Sequence, residues 1–111
     1  MSNQYISDIT PAGDYESITV STSVVGPAAD KLLINQTGGF HKRAVKALIT
    51  VEGAATLRLR YDGTDPTSSE GHEFGNDDSI IIQGEGNLGH LKFIRAGGSD
   101  MTVKITYFYN L

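Results

Sequence analysis

The sequence predicts an all-β domain: an antiparallel β-sandwich of about seven to eight strands, with the jelly roll as its candidate form. Three observations carry this. Ten Thr, six Val and ten Ile give the chain a heavy share of β-branched residues. Such side chains suit a pleated surface and lose rotamer freedom in helices. Thirteen Gly punctuate the 111 residues at short intervals, the rhythm of short strands joined by turns. Nowhere does a strand pattern alternate with a long helical one, so a parallel βαβ sheet is excluded.

Residues 1–16 stand apart. Tyr5, Ile6, Ile9 and Tyr15 keep no sustained period, and Pro11-Ala12-Gly13-Asp14 is turn chemistry. The segment reads either as an N-terminal interaction arm or as a tail that packs on its own domain, with residues 17–111 as the sandwich. The first strand then runs from Ser17 to Val25, where Ile18, Val20 and Val24 alternate with Thr19, Ser21 and Ser23,. Gly26-Pro27 stops it. Residues 27–33 allow one helical turn with Pro27 near its start, followed by a short buried strand at Leu32-Leu33-Ile34 and a loop at Gln36-Thr37-Gly38-Gly39.

From Ala44 to Glu52, Val45, Ala47, Ile49 and Val51 face one way, and Lys46, Thr50 and Glu52 the other. After Gly53-Ala54-Ala55, Leu57, Leu59 and Tyr61 alternate with Arg58, Arg60 and Asp62. Two half-buried runs joined by a short Gly-containing link predict a β-hairpin from Ala44 to Tyr61. Residues 62–78 form a polar loop in which Asp62-Gly63, Asp65-Pro66 and Gly75-Asn76 supply turns,. Ser79 to Gln83 is a strand whose Ile80-Ile81-Ile82 implies contact on both faces. Gly84-Glu85-Gly86-Asn87 ends it, Leu91 to Ala96 is another strand, and Ala96 to Asp100 is a turn. The last strand, Met101 to Tyr109, places Met101, Val103, Ile105, Tyr107 and Tyr109 on one face.

Composition excludes several function classes. With no Cys, there are no disulfides, thiolate metal sites or thiol nucleophiles. A net charge of −4 speaks against nucleic acid and anionic membrane surfaces, both of which select a basic footprint. No run approaches the roughly 18 apolar residues of a membrane span. Met1 to Tyr5 lacks the basic and apolar regions of a secretory signal, so a cytoplasmic site of synthesis and assembly is expected.

No catalytic or metal-ligating set emerges. His41, His72 and His90 show no His-x-His spacing, and His72 and Glu73, adjacent on an extended chain, point to opposite faces. No Gly-x-Ser-x-Gly elbow accompanies the Ser residues. Asp62, Asp65, Asp77 and Asp78 do not match a calcium loop. The chain is expected to be no enzyme and to need no cofactor. Arg58 and Arg60 share a strand face, with Lys46 on the expected neighbouring strand. They form either an ordinary solvated face, paired with residues such as Glu52, or a small cationic docking patch. The candidate partner-binding residues are therefore Tyr5, Ile6, Ile9 and Tyr15 of the arm, and Arg58 and Arg60.

The stretches Phe40 to Ala44, Ala47 to Ala54, Arg60 to Thr67 with Gly71-His72, Leu91 to Ala96 and Met101 to Phe108 together resemble small β-rich virion structural proteins of tailed bacteriophages. The likeness covers roughly residues 38–109, and Asp62-Gly63-Thr64-Asp65-Pro66-Thr67 is its most specific part. The resemblance implies a non-enzymatic capsid decoration (cement) protein that binds the major capsid protein and stabilises the shell. Its alternative is an accessory of the head–tail junction, tail or fibre that recognises a glycan or another virion protein. It also implies a virion location, assembly in the host cytoplasm, and a homo-oligomer with a trimer favoured.

Overall fold

The computed structural model describes residues 12–35 and 41–109. Eight strands and two short helices follow one another as β1 (Ala12–Val20), α1 (Ala29–Leu32), β2 (Leu33–Asn35), β3 (His41–Glu52), β4 (Thr56–Arg60), β5 (His72–Gly75), β6 (Ser79–Gln83), α2 (Glu85–Gly89), β7 (Lys92–Arg95) and β8 (Met101–Tyr109). They form two antiparallel sheets. The larger runs β1-β8-β3, with β2 and β6 lying along the other side of β3; the smaller runs β5-β4-β7.

The pairings nest. Leu59 of β4 lies opposite His72 of β5. Ile49 of β3 lies opposite Ile80 of β6. Val25 bridges to Phe93 of β7, and Ala12 of β1 faces Phe108 of β8. The chain is thus one long hairpin, tipped by the loop after β4 and rolled into two sheets, which is the jelly-roll winding.

That winding corrects the expected hairpin from Ala44 to Tyr61. β3 pairs with β8, β6 and β2, whereas β4 pairs with β5 and β7. The link at Gly53-Ala54-Ala55 is an arch that carries the chain from one sheet to the other. Gly53 has φ +147°, and a Cβ there would run into the Met101 thioether, so glycine is required on both counts. The Asn76 side chain accepts the Gly53 N–H at 3.1 Å.

Alternation still decides what is buried. Ala47, Ile49 and Val51 of β3 and Val103, Ile105 and Tyr107 of β8 are fully buried. They pack in one core with Leu57, Leu59 and Phe93 of the smaller sheet and with Leu88 and Leu91. A register shift between Ala44 and Lys46, against Tyr109 and Phe108, makes Val45 the extra residue of a bulge. Ala44 and Ala47 therefore turn inward, and Val45 does not share their face as the alternation alone suggests.

Four other expectations move. β1 starts at Ala12, so the boundary drawn at Ser17 falls inside a strand, and residues 12–16 belong to the sheet. The strand expected through Val25 ends at Val20, and the chain then crosses to β7, where Val25 and Phe93 exchange backbone hydrogen bonds of 3.0 and 2.7 Å. The polar stretch 62–78 contains β5. The turn expected at Gly84 to Asn87 is largely the start of α2, with Gly84 at its N-cap and Leu88 buried.

Candidate functional site

The outer face of the larger sheet is assembled from four strands. Register aligns Tyr15 with Thr106, Thr106 with Leu48, and Leu48 with Ile81. The row crosses the whole sheet. Its two ends are the most exposed large apolar side chains described: Tyr15 is 51% and Ile81 48% exposed. On one flank the Lys46 ammonium sits 4.6 Å above the Phe108 ring. On the other, Lys104 pairs with Glu52 at 3.2 Å. The sheet thus presents a mostly apolar strip, interrupted by the Thr106 hydroxyl, between charged borders, a surface type associated with protein partners.

Tyr15 is accordingly the expected partner residue that the structure places on a recognisable surface. Tyr5, Ile6 and Ile9 lie outside the described residues. Arg58 and Arg60 sit on β4, in the opposite sheet, far in topology from Tyr15 and from Lys46. The expected neighbour relation between Lys46 and the two arginines is corrected by the arch, and Glu52 pairs with Lys104 rather than with an arginine.

Neither arginine is a bare cation. Arg58 donates to the carbonyls of Gly71 (3.0 Å) and Ser68 (3.3 Å) and lies 3.8 Å from Glu73, tying the tip loop to β4. Arg60 donates to both oxygens of Asp62, at 3.0 and 2.5 Å. This guanidinium holds the Asp62 carboxyl down to about 2, and the carboxylate raises the arginine in turn. Beside this pair, Tyr61 and His72 stack with centroids 6.2 Å apart. The four residues line a depression of about 240 Å³. A wider groove of about 440 Å³ runs between Pro66, Ser68, Ile94 and Arg95.

A second polar cluster closes the end of the roll where β1, β8 and α1 meet. Glu16 accepts the Ala28 N–H at 3.1 Å and the Tyr107 hydroxyl. Asp14 accepts its neighbour's N–H from Tyr15 at 2.8 Å, and both its oxygens accept from Lys31 at 3.1 Å. The Tyr109 hydroxyl donates to the Lys31 carbonyl at 2.5 Å. The Tyr15 N–H and the Lys31 ammonium lower the Asp14 carboxyl, and Asp14 raises Lys31. Burial, with the bond to Glu16, pushes the Tyr107 phenol well above its ordinary value; burial takes Tyr109 up to about 12. Every charge here has a partner, so the cluster acts as a clasp.

Sequence reasoning missed the clasp because Asp14 and Glu16 look like the end of an apolar pattern. They are in phase with Ile18 and Val20, and a strand extended to Ala12 puts all four on the inner face. Among the described residues no group of three or more His, Asp or Glu side chains converges as a metal site. Family models, curated proteins and solved structures contain no match to this chain.

Proposed function

We propose that the protein is a non-enzymatic structural component of a tailed-phage particle, a decoration protein that binds the capsid shell and stabilises it. The observation that supports this reading best is the apolar row Tyr15–Thr106–Leu48–Ile81, carried on a rigid sheet. Binding through such a face adds free energy to the assembled shell by mass action, because the ligand binds the assembled state in preference to its parts. The resemblance of residues 38–109 to virion proteins supports the capsid shell as the partner.

The test is the protein's place in purified particles from the source that carries its coding sequence. Quantitative mass spectrometry should find hundreds of copies per particle, and Tyr15→Ala should lower that occupancy while leaving the fold intact. Absence from particles would end the virion reading. A few copies per particle would favour the tail or fibre alternative. For that alternative, the supporting observation is the Tyr61–His72 stack beside the Arg60–Asp62 pair, an aromatic face bordered by planar polar groups of the kind that holds a sugar ring.

A further inference from the structure

β6 is an edge strand without the usual protection. Sheet proteins guard their edges with charges, Pro, bulges or a covering element. Ser79-Ile80-Ile81-Ile82-Gln83 has no charge, no Pro and no register shift against β3. Among the described residues only β3 pairs with it.

The direction of its backbone groups follows from the bonds at its ends. The Asp78 carbonyl accepts from Val51, and the Gly84 N–H donates to Val45, so residues 78, 80, 82 and 84 turn toward β3. Antiparallel residues turn both backbone groups to one side and alternate. Ser79, Ile81 and Gln83 therefore direct their N–H and C=O groups outward. Asn87 already caps the Gln83 carbonyl at 2.8 Å. The same three residues place their side chains on the exposed outer face.

We propose that β6 is a homotypic docking edge: two copies of this chain join β6 to β6, antiparallel, about a two-fold axis through Ile81, fusing their larger sheets into one. The strand is nearly self-complementary under that operation. Ile81 meets its own copy, Ile80 meets Ile82, and Ser79 meets Gln83. The outward-facing residues become the hydrogen-bonded pairs. They supply about four backbone bonds: two between the Ile81 residues and one from each Gln83 N–H to the opposite Ser79 carbonyl.

A seam of five residue pairs is small beside the ~1,600 Å² of a standard stable interface. The dimer is therefore reversible and concentration-dependent in solution. Its two-fold symmetry differs from the three-fold one that the virion resemblance favours. The inference does not rest on the capsid reading, because it concerns the purified protein alone.

Sedimentation velocity over a concentration series should show a monomer–dimer equilibrium. Ile81→Lys sets like charges opposite each other and should weaken the dimer by at least about tenfold. Thr19→Lys, exposed on the far edge, should leave it unchanged. Because the chain has no Cys, Ile81→Cys carries a single thiol. In a hydrogen-bonded pair its Cα would lie about 5.5 Å from its copy, within disulfide range. Mild oxidation should yield a covalent dimer that Thr19→Cys does not form. A wild-type protein that stays monomeric at every concentration overturns the proposal. So does a trimer as the sole assembled species, undiminished association of Ile81→Lys, or equal cross-linking of the two Cys variants.

Discussion

The larger sheet has two edges, and they solve the same problem in opposite ways. At β1, two carboxylates point inward and are fully engaged: Asp14 by Lys31 and a backbone N–H, Glu16 by Tyr107 and the Ala28 N–H. Inward-pointing charge is one of the devices that keeps an edge from recruiting another strand. At β6 the strand is uncharged and exposes Ile81. The difference teaches that one sheet can be closed on one side and open on the other, with polarity decided by a handful of side chains rather than by the fold.

The largest effect should come from the closed edge. Tyr107 is fully buried, and Tyr107→Ala should cost about 3–5 kcal/mol in denaturant unfolding, as other buried aromatic truncations do. A loss under about 1 kcal/mol would mean that the clasp and its surrounding core collapse to fill the gap. Glu16→Gln keeps the acceptor but removes the charge from its bonds to Tyr107 and Ala28. It should cost about 1–2 kcal/mol, and a neutral result would reduce the clasp to a surface decoration.

The clasp and the Arg60–Asp62 pair together predict how stability follows pH. Asp14 and Asp62 have folded-state values below the ordinary 3.8, Asp62 at about 2. Their stabilisation is present above about pH 4 and is lost as pH falls toward 2. Tyr109, raised from 10.0 to about 12, contributes stability that is whole below pH 10 and lost as pH rises toward 12. Unfolding free energy measured across both limbs should decline in both windows. Asp62→Asn should make only the acid limb shallower, leaving the share of Asp14, and Tyr109→Phe only the alkaline one, leaving the share of Tyr107.

The smallest effect on stability should come from the open edge. Ile81→Lys should change the unfolding free energy by no more than about 0.5 kcal/mol, since the side chain is half exposed. A large destabilisation would show that Ile81 supports the domain itself and would erase the contrast between the two edges.

Facing was legible in the sequence, but pairing was not. The run from Met101 to Tyr109 buries the residues that its alternation marks, and Leu57 and Leu59 are buried as Arg58 and Arg60 are not. A period of two says which side of a strand is dry. It does not say whether the next strand lies beside it or across the core, so the residues of β3 and β4 fit an arch as well as a hairpin. β5 was invisible because His72-Glu73-Phe74-Gly75 offers one apolar residue and no repeat. Three consecutive Ile suggested a strand buried on both faces; at an edge, Ile81 remains 48% exposed. The outer row depends on registers among four strands distant in sequence, and the clasp depends on α1 meeting β1 and β8. Neither leaves a local trace.

The nesting of the pairs around the tip also sets an order in time. Apart from the local pairing of β2 with β3, where Asn35 lies opposite His41, β4 with β5 closes the shortest of the nested loops; β3 with β6, Val25 with Phe93, and β1 with β8 close successively longer ones. Closure entropy grows with loop length, by about 0.6 kcal/mol per doubling, and chains dominated by such distant contacts fold in milliseconds to seconds. The tip is therefore the expected nucleus, and the terminal strands the last to arrive. Substitutions in β4 should slow folding, while those in β1 should mainly speed unfolding; the reverse pattern in a chevron series would discard this order. The Glu16–Tyr107 bond then sits at the seam that closes last, where it can retard the first step of opening.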